Sequence, residues 1–125
     1  MNVKTDTKEK FHVITIQEKN ISANMTAELE QLLGSYLQKD VKNVILNCKD
    51  IETIDDAAAE ALVNCQQAFY EANHSFVICH LPAKTEAQLD EQGLLEIMNT
   101  TPTESEAWDI VQMEEIEREL LNGED

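Results

Sequence analysis

Two consecutive carboxylates, Asp55 and Asp56, followed by Ala57, Ala58, Ala59 and Glu60, are the residues of this chain best placed to do chemistry. They follow the apolar run Val44-Ile45-Leu46-Asn47-Cys48 and open a stretch of small residues, which predicts a buried strand leading into a helix start. Acids at a helix start accept hydrogen bonds from free backbone N–H groups and sit at the positive end of the helix dipole. Capping alone would contribute roughly 0.5–2 kcal/mol. The sharper expectation is a recognition surface on which one exposed charge decides what binds.

Other chemistries find less support. Lys84 follows a later predicted strand, and with Asp55 and Asp56 it resembles the acids and lysine of phosphoacceptor receiver domains. Such a site needs a third strand-end acid to hold a divalent cation through oxygen ligands, and Asp50 is poorly placed for it. His74, Cys79 and His80 suggest a metal, but Cys79 and His80 are neighbours on a predicted strand and point to opposite faces. None of Gly34, Gly93 and Gly123 follows a strand in a nucleotide-binding pattern, and neither G-x-S-x-G nor H-E-x-x-H occurs. A protein without catalytic apparatus, metal or cofactor is expected.

The charge balance narrows the partners. With 25 acids against 9 Lys and Arg, the net charge of -16 argues against binding a phosphate backbone. Much of the excess lies late, in Glu104, Glu106, Glu114, Glu115, Glu117, Glu119, Glu124 and Asp125, as a solvated helix face or a surface for a basic partner. No apolar run approaches the ~20 residues of a membrane span, and Met1-Asn2-Val3-Lys4-Thr5-Asp6 lacks the apolar core of a secretory signal. Cys48, Cys65 and Cys79 are odd in number and widely spaced, which reads as reduced thiols. The expectation is one soluble, cytoplasmic domain.

Periodicity places the elements that must position Asp55 and Asp56. An arm or strand over residues 2–8 and a strand over 11–17 precede a turn at 18–20. A helix over 24–39 then aligns Met25, Leu29, Leu32, Leu33, Tyr36 and Leu37. Gly34 inside it costs about 1 kcal/mol relative to Ala, as though a close approach to the sheet required it. The near-continuous apolar run at 44–48 predicts a central strand, and a helix over 56–72 follows. A strand over 76–80, ended by Pro82, leads to a short helix over 85–91 with a Thr85-x-x-Gln88 capping box and a Gly93 cap. A brief strand over 96–99 and a second capping box, Thr103-x-x-Glu106, open a last helix reaching Leu121. Strands separated by helices predict an α/β fold, a mixed central sheet of four to five strands with about four helices. Ile110, Met113, Ile116 and Leu120 form a stripe on the last helix that either packs on the body or, with Leu121, meets a second subunit or a partner helix.

Taken as a unit, residues 44–61 resemble the core signature of STAS domains, the family of bacterial anti-sigma factor antagonists. That signature is a strand of the type I-V-L-N-L-x-x-L-x-x-[IM] ending in D-S-[ST]-G-[LI], whose first Ser is phosphorylated by a partner kinase. Ile51 and Ile54 hold the apolar spacer positions and Asp55 matches the Asp. Asp56 falls on the phosphorylatable Ser, Ala57 on the second hydroxyl residue, Ala58 on the Gly, and Glu60 on a further small residue. Ile21-Ser22-Ala23-Asn24-Met25 is similar to the family's L-D-x-x-[TN] loop, with Ser22 in place of its Asp. Phe76 to Pro82, and Gln92-Gly93-Leu94 after them, resemble its late strand and x-G-L turn. The resemblance spans roughly residues 10–112, so residues 1–112 are expected to form a single STAS-like domain and 113–125 an extension of the last helix with an acidic tail.

The resemblance implies a non-catalytic regulator that binds a protein partner, an anti-sigma factor or serine kinase, through Ser22, Asn24, Asp55, Asp56, Ala57, Ala58 and Glu60. Phosphorylation of the family's Ser adds about -1.5 to -2 charge, and Asp56 supplies about half of that permanently. Asp56 then either imitates the modified state or is itself bound by a partner's cation, and the second is favoured. Thr53 is the nearest hydroxyl to serve as a substitute phosphosite. Two rival readings stand beside this one: a STAS subunit of a larger assembly, such as a signalling scaffold or lipid-transport ATPase complex, and a receiver-like phosphoacceptor at Asp55 or Asp56. A homodimer through the C-terminal helix is a further expectation.

Overall fold

The protein is described by a computed structural model over residues 1–122, so the acidic end at Glu124 and Asp125 lies outside the described residues. The strands β1 (Val3–Thr7), β2 (Phe11–Ile16), β4 (Asn43–Asn47), β6 (Phe76–Cys79) and β7 (Thr100–Thr101) form one sheet in the order β1-β2-β4-β6-β7. β1 runs antiparallel to β2, and the other neighbours are parallel. β4 is central, which is why Val44, Ile45 and Leu46 are all apolar: with helices on both faces, neither side of the strand sees water.

Alternation along the strands separates two cores. Ile14, Val44, Leu46, Phe76 and Ile78 point to one face, against α1 (Thr26–Ser35), α2 (Asp56–Glu71) and Leu89 of α3 (Ala83–Glu91). Phe11, Val13, Ile45, Val77 and Cys79 point to the other, where Ala107 and Val111 of α4 (Glu104–Asn122) cover them. Small residues on α2, among them the fully buried Ala58 and Ala59, let its first turns lie close to the sheet. α4 is unbroken through residue 112.

The outer edge at β1 is exposed from Lys4 to Thr7, and it carries Lys4, Asp6 and, just beyond, Lys8. Lys8 Nζ lies 3.9 Å from the Asp6 carboxylate.

Several elements differ from the sequence expectation. The helix expected over 24–39 is α1 flanked by 3-10 turns at Ala23–Met25 and Tyr36–Gln38. A Cβ built on Gly34 would meet nothing within 4 Å, so no close approach demands this glycine. The strand expected over 76–80 stops at Cys79, because His80 takes φ +57° and turns the chain; its Nε2 then accepts the Glu104 N–H at 3.2 Å. Residues 95–97 form a 3-10 turn where a strand was expected over 96–99, and pairing resumes only at Thr100.

The short helix starts earlier than its apparent capping box, with Pro82 as its N-cap, so Thr85 and Gln88 lie inside the helix and do not cap it. Its end matches expectation: Gly93 has φ +72°, with Gly93 N–H bonded to Asp90 O and Leu94 N–H to Leu89 O, each at 3.0 Å, a complete Schellman motif. At α4 half of the second box forms: Glu106 N–H donates to Thr103 Oγ1 at 3.2 Å, while the Glu106 carboxylate accepts from the Thr103 hydroxyl at 2.9 Å in place of the Thr103 backbone N–H.

The two-residue strands β3 (Asn20–Ile21) and β5 (Thr53–Ile54) were not expected; residues 18–20 read as a plain turn. They pair in parallel outside the main sheet, Asn20 opposite Thr53 and Ile21 opposite Ile54. Ile21 and Ile54 bury their side chains in the helix-bearing core, which holds this small ladder against the body.

Candidate functional site

The ladder positions the site. Glu52 N–H and Thr53 N–H both donate to Lys19 O, at 2.6 and 3.1 Å, and Asp55 N–H donates to Ile21 O at 2.8 Å. The chain therefore leaves β5 beside the loop that leaves β3, and α2 starts at that point. Asp55 is the N-cap of α2 with extended backbone angles, φ -71° and ψ 153°, and its carbonyl accepts the Ala59 N–H at 2.9 Å.

Its side chain makes no capping bond to α2. The Asp55 carboxylate instead reaches across to the Ala23 N–H at 2.9 Å. This corrects the expectation that the acid pair satisfies its own helix start. Ser22 and Asn24 flank Ala23, Ser22 half-buried and Asn24 exposed, so the bond draws the Ser22 loop and the α2 start into one surface.

Asp56 is the first residue of α2 and is exposed. Its carboxylate accepts from the Gln92 side-chain amide, in the turn after α3. Asp56, Glu60, Gln92 and Leu94 line a shallow depression of about 230 Å³. Ala57 and Glu60 are exposed, whereas Ala58 faces the core, fully buried, and offers no surface to a partner. Asp55, Asp56 and Glu60 enter no ion pair among the described residues; Asp55 and Asp56 sit at the positive end of the α2 dipole and Glu60 one turn further on.

Sequence reasoning missed the residues that brace this segment. Thr85, Gln88 and Gln92 recur at i, i+3 and i+7 along α3 and its end, one helical face. Thr85 Oγ1 donates to Glu52 O at 3.2 Å, Gln88 Nε2 to Ile54 O at 2.5 Å, and Gln92 to Asp56. The signal was present as Thr85-x-x-Gln88, whose spacing a capping box and a polar helix face share.

The remaining candidates are dispersed. Thr53 is exposed, its Oγ1 donating to Asn20 Oδ1 at 2.5 Å. Lys84 is exposed on the first turn of α3. No group of three His, Cys, Asp or Glu able to hold a metal occurs among the described residues, and His74, Cys79 and His80 form none. Cys48, Cys65 and Cys79 are buried and unpaired; burial pushes the Cys65 thiol up to about 11 and the Cys79 thiol up to about 12. Among the described residues no helix is long and apolar enough to cross a membrane.

A mixed sheet with α1 and α2 on one face, and a helix start set beside a loop by a small parallel ladder, defines a class of α/β domain. The chain belongs to the STAS domain family, whose pattern matches residues 2–107. Solved structures share the fold. An anti-sigma factor antagonist from Mycobacterium paratuberculosis is 16% identical with a TM-score of 0.74, over 89% of this chain and 93% of that one. A candidate anti-sigma factor antagonist from Thermotoga maritima is 19% identical, with a TM-score of 0.74 over 88% and 94%. A chain from the stressosome, a signal integration and transduction hub, is 19% identical with a TM-score of 0.67, over 87% and 96%. Comparison with curated proteins gives no match.

Proposed function

We propose that the protein is a non-catalytic, cytoplasmic regulator that binds a protein partner, as anti-sigma factor antagonists do, through Ser22, Asn24, Asp55, Asp56, Ala57 and Glu60. The observation that carries this reading is the Asp55 to Ala23 hydrogen bond, which ties the loop to the α2 start, where Asp56 is exposed. Asp56 stands where the resembled signature has its phosphorylatable Ser. A carboxylate there holds its charge without a kinase, so the contact is not switched at this residue by phosphorylation. The acid is instead the recognised group, and a partner Lys or Arg set against Asp56 and Glu60 supplies the complement. Buried, unpaired thiols suit a reducing compartment.

The test is affinity capture from the native host with the full chain and with Asp56→Ser as baits, followed by intact-mass measurement. A kinase-like anti-sigma protein captured by the natural chain, with recovery changed by Asp56→Ser, supports the reading. Equal recovery by both baits overturns it. Capture of scaffold or transporter subunits would select a standing component of a larger assembly, a role that also needs no phosphorylation cycle.

A further inference from the structure

α4 presents two chemically different faces. Towards the body it sets Ala107 and Val111 in the core, and beyond them a polar group fixes its rotation. Glu114 accepts from the Tyr70 hydroxyl at 2.8 Å and from Ser75 Oγ at 2.6 Å, and Arg118 donates to Ser75 Oγ at 3.0 Å and to Glu115 at 2.9 Å. With the helix held this way, Met113, Ile116 and Leu120 are turned outward, 55%, 57% and 65% exposed. Their i, i+3, i+7 spacing makes one continuous row, and Leu121 beside it is 80% exposed.

Single exposed apolar residues are ordinary, but an ordered row on a helix face that no other element covers among the described residues is the form of a helix-docking surface. The flanks of the row say what would cover it. Glu106, Asp109 and Glu117 are all exposed around it, and the one Arg or Lys of α4, Arg118, is engaged inward with Glu115, Ser75 and Asn43. A second copy of this chain would set the same acids against each other between bodies of net charge -16.

We propose that the outer face of α4 docks a basic amphipathic helix of another protein, whose apolar row seats on Met113, Ile116 and Leu120 and whose Lys or Arg residues face Glu106, Asp109 and Glu117. α4 covers the sheet face opposite the one that carries α1, α2 and α3. The surface is therefore separate from the one around Asp56 and does not rest on that reading. A chain with both can hold two partners at once.

The experiment uses the full chain and a fluorescein-labelled amphipathic helical peptide of Leu and Lys, with a Leu and Glu peptide of the same pattern as control. Fluorescence anisotropy should show binding of the Lys peptide and none of the Glu peptide. Ile116→Gln with Leu120→Gln should weaken binding about tenfold, the scale of losing buried anchors. Glu106→Gln with Glu117→Gln should weaken it and flatten its salt dependence, and Asp56→Ser should leave it unchanged. All these positions are exposed, and circular dichroism confirms that each variant keeps its helices. No binding of the Lys peptide, or binding that survives Ile116→Gln with Leu120→Gln, overturns the proposal. A concentration-dependent dimer in sedimentation that the same two substitutions abolish would also overturn it, assigning the face to self-association.

Discussion

The Asp55 carboxylate accepts a hydrogen bond at 2.9 Å from the backbone N–H of Ala23, a residue 32 positions earlier. An Asp in the N-cap position ordinarily satisfies a free amide of its own helix. Here the acid binds a neighbouring loop and makes no capping bond to α2. Asp55→Ala should therefore speed hydrogen exchange at the Ala23 amide and lower stability by about 1 kcal/mol, while α2 itself is unchanged. Unaltered exchange at Ala23 would show that the tie is absent in solution.

Thr85 and Gln88 offer a second check on the same segment. As a capping box, their loss would fray the start of α3. As braces of Glu52 and Ile54 carbonyls, their loss leaves α3 intact and loosens β5. Gln88→Ala should cost about 1 kcal/mol in urea unfolding, with carbon chemical shifts of α3 unmoved and those of residues 52–56 displaced.

Gly34 sits inside α1 with open space where a side chain would go. Gly34→Ala should stabilise the protein by up to about 1 kcal/mol, the helix-propensity difference between the two residues. A loss of stability on thermal or urea unfolding would mean that packing against α2 tightens at this point in solution.

Glu115 gives a pH dependence. Burial pushes its carboxyl up, but hydrogen bonds from Asn43 and Arg118 and the charges of Arg118 and Lys10 outweigh that and hold it below the ordinary 4.5. A carboxyl lowered by folding contributes stability that is present above its unfolded value and is lost as pH falls through its folded value. Glu115→Gln should thus lower stability at pH 7 and leave a shallower acid limb below pH 4.5, measured by urea unfolding across that range. An acid limb as steep as in the natural chain would exclude Glu115 as a contributor.

The main sheet and four helices were legible because their residues carry long periodic signals. Val44 to Leu46 read as a central strand, as found, and of the stripe expected on α2 Ala58, Ala61, Leu62, Cys65 and Phe69 are buried, whereas Ala68 and Ala72 are exposed. The Thr103 bond to the Glu106 N–H and the Gly93 cap were legible because each has a specific stereochemical cause. The β3 and β5 ladder was not, since two-residue strands have no periodicity and depend on a partner more than thirty residues away. At the site, the acids and their place at a helix start were readable, but the target of Asp55 was not. It depends on tertiary placement of Ala23, a residue with no side chain to draw notice. The inward turn of Ala58 follows from its register on α2, which a match to a family pattern does not reveal.

β1 is the border of the sheet where backbone hydrogen-bonding groups stay open to another strand. Charged Lys4 and Asp6 along it, with Lys8 drawn towards Asp6, oppose the stacking of one molecule's border on another's. When many copies are crowded together, runaway fibre growth along the sheet is suppressed.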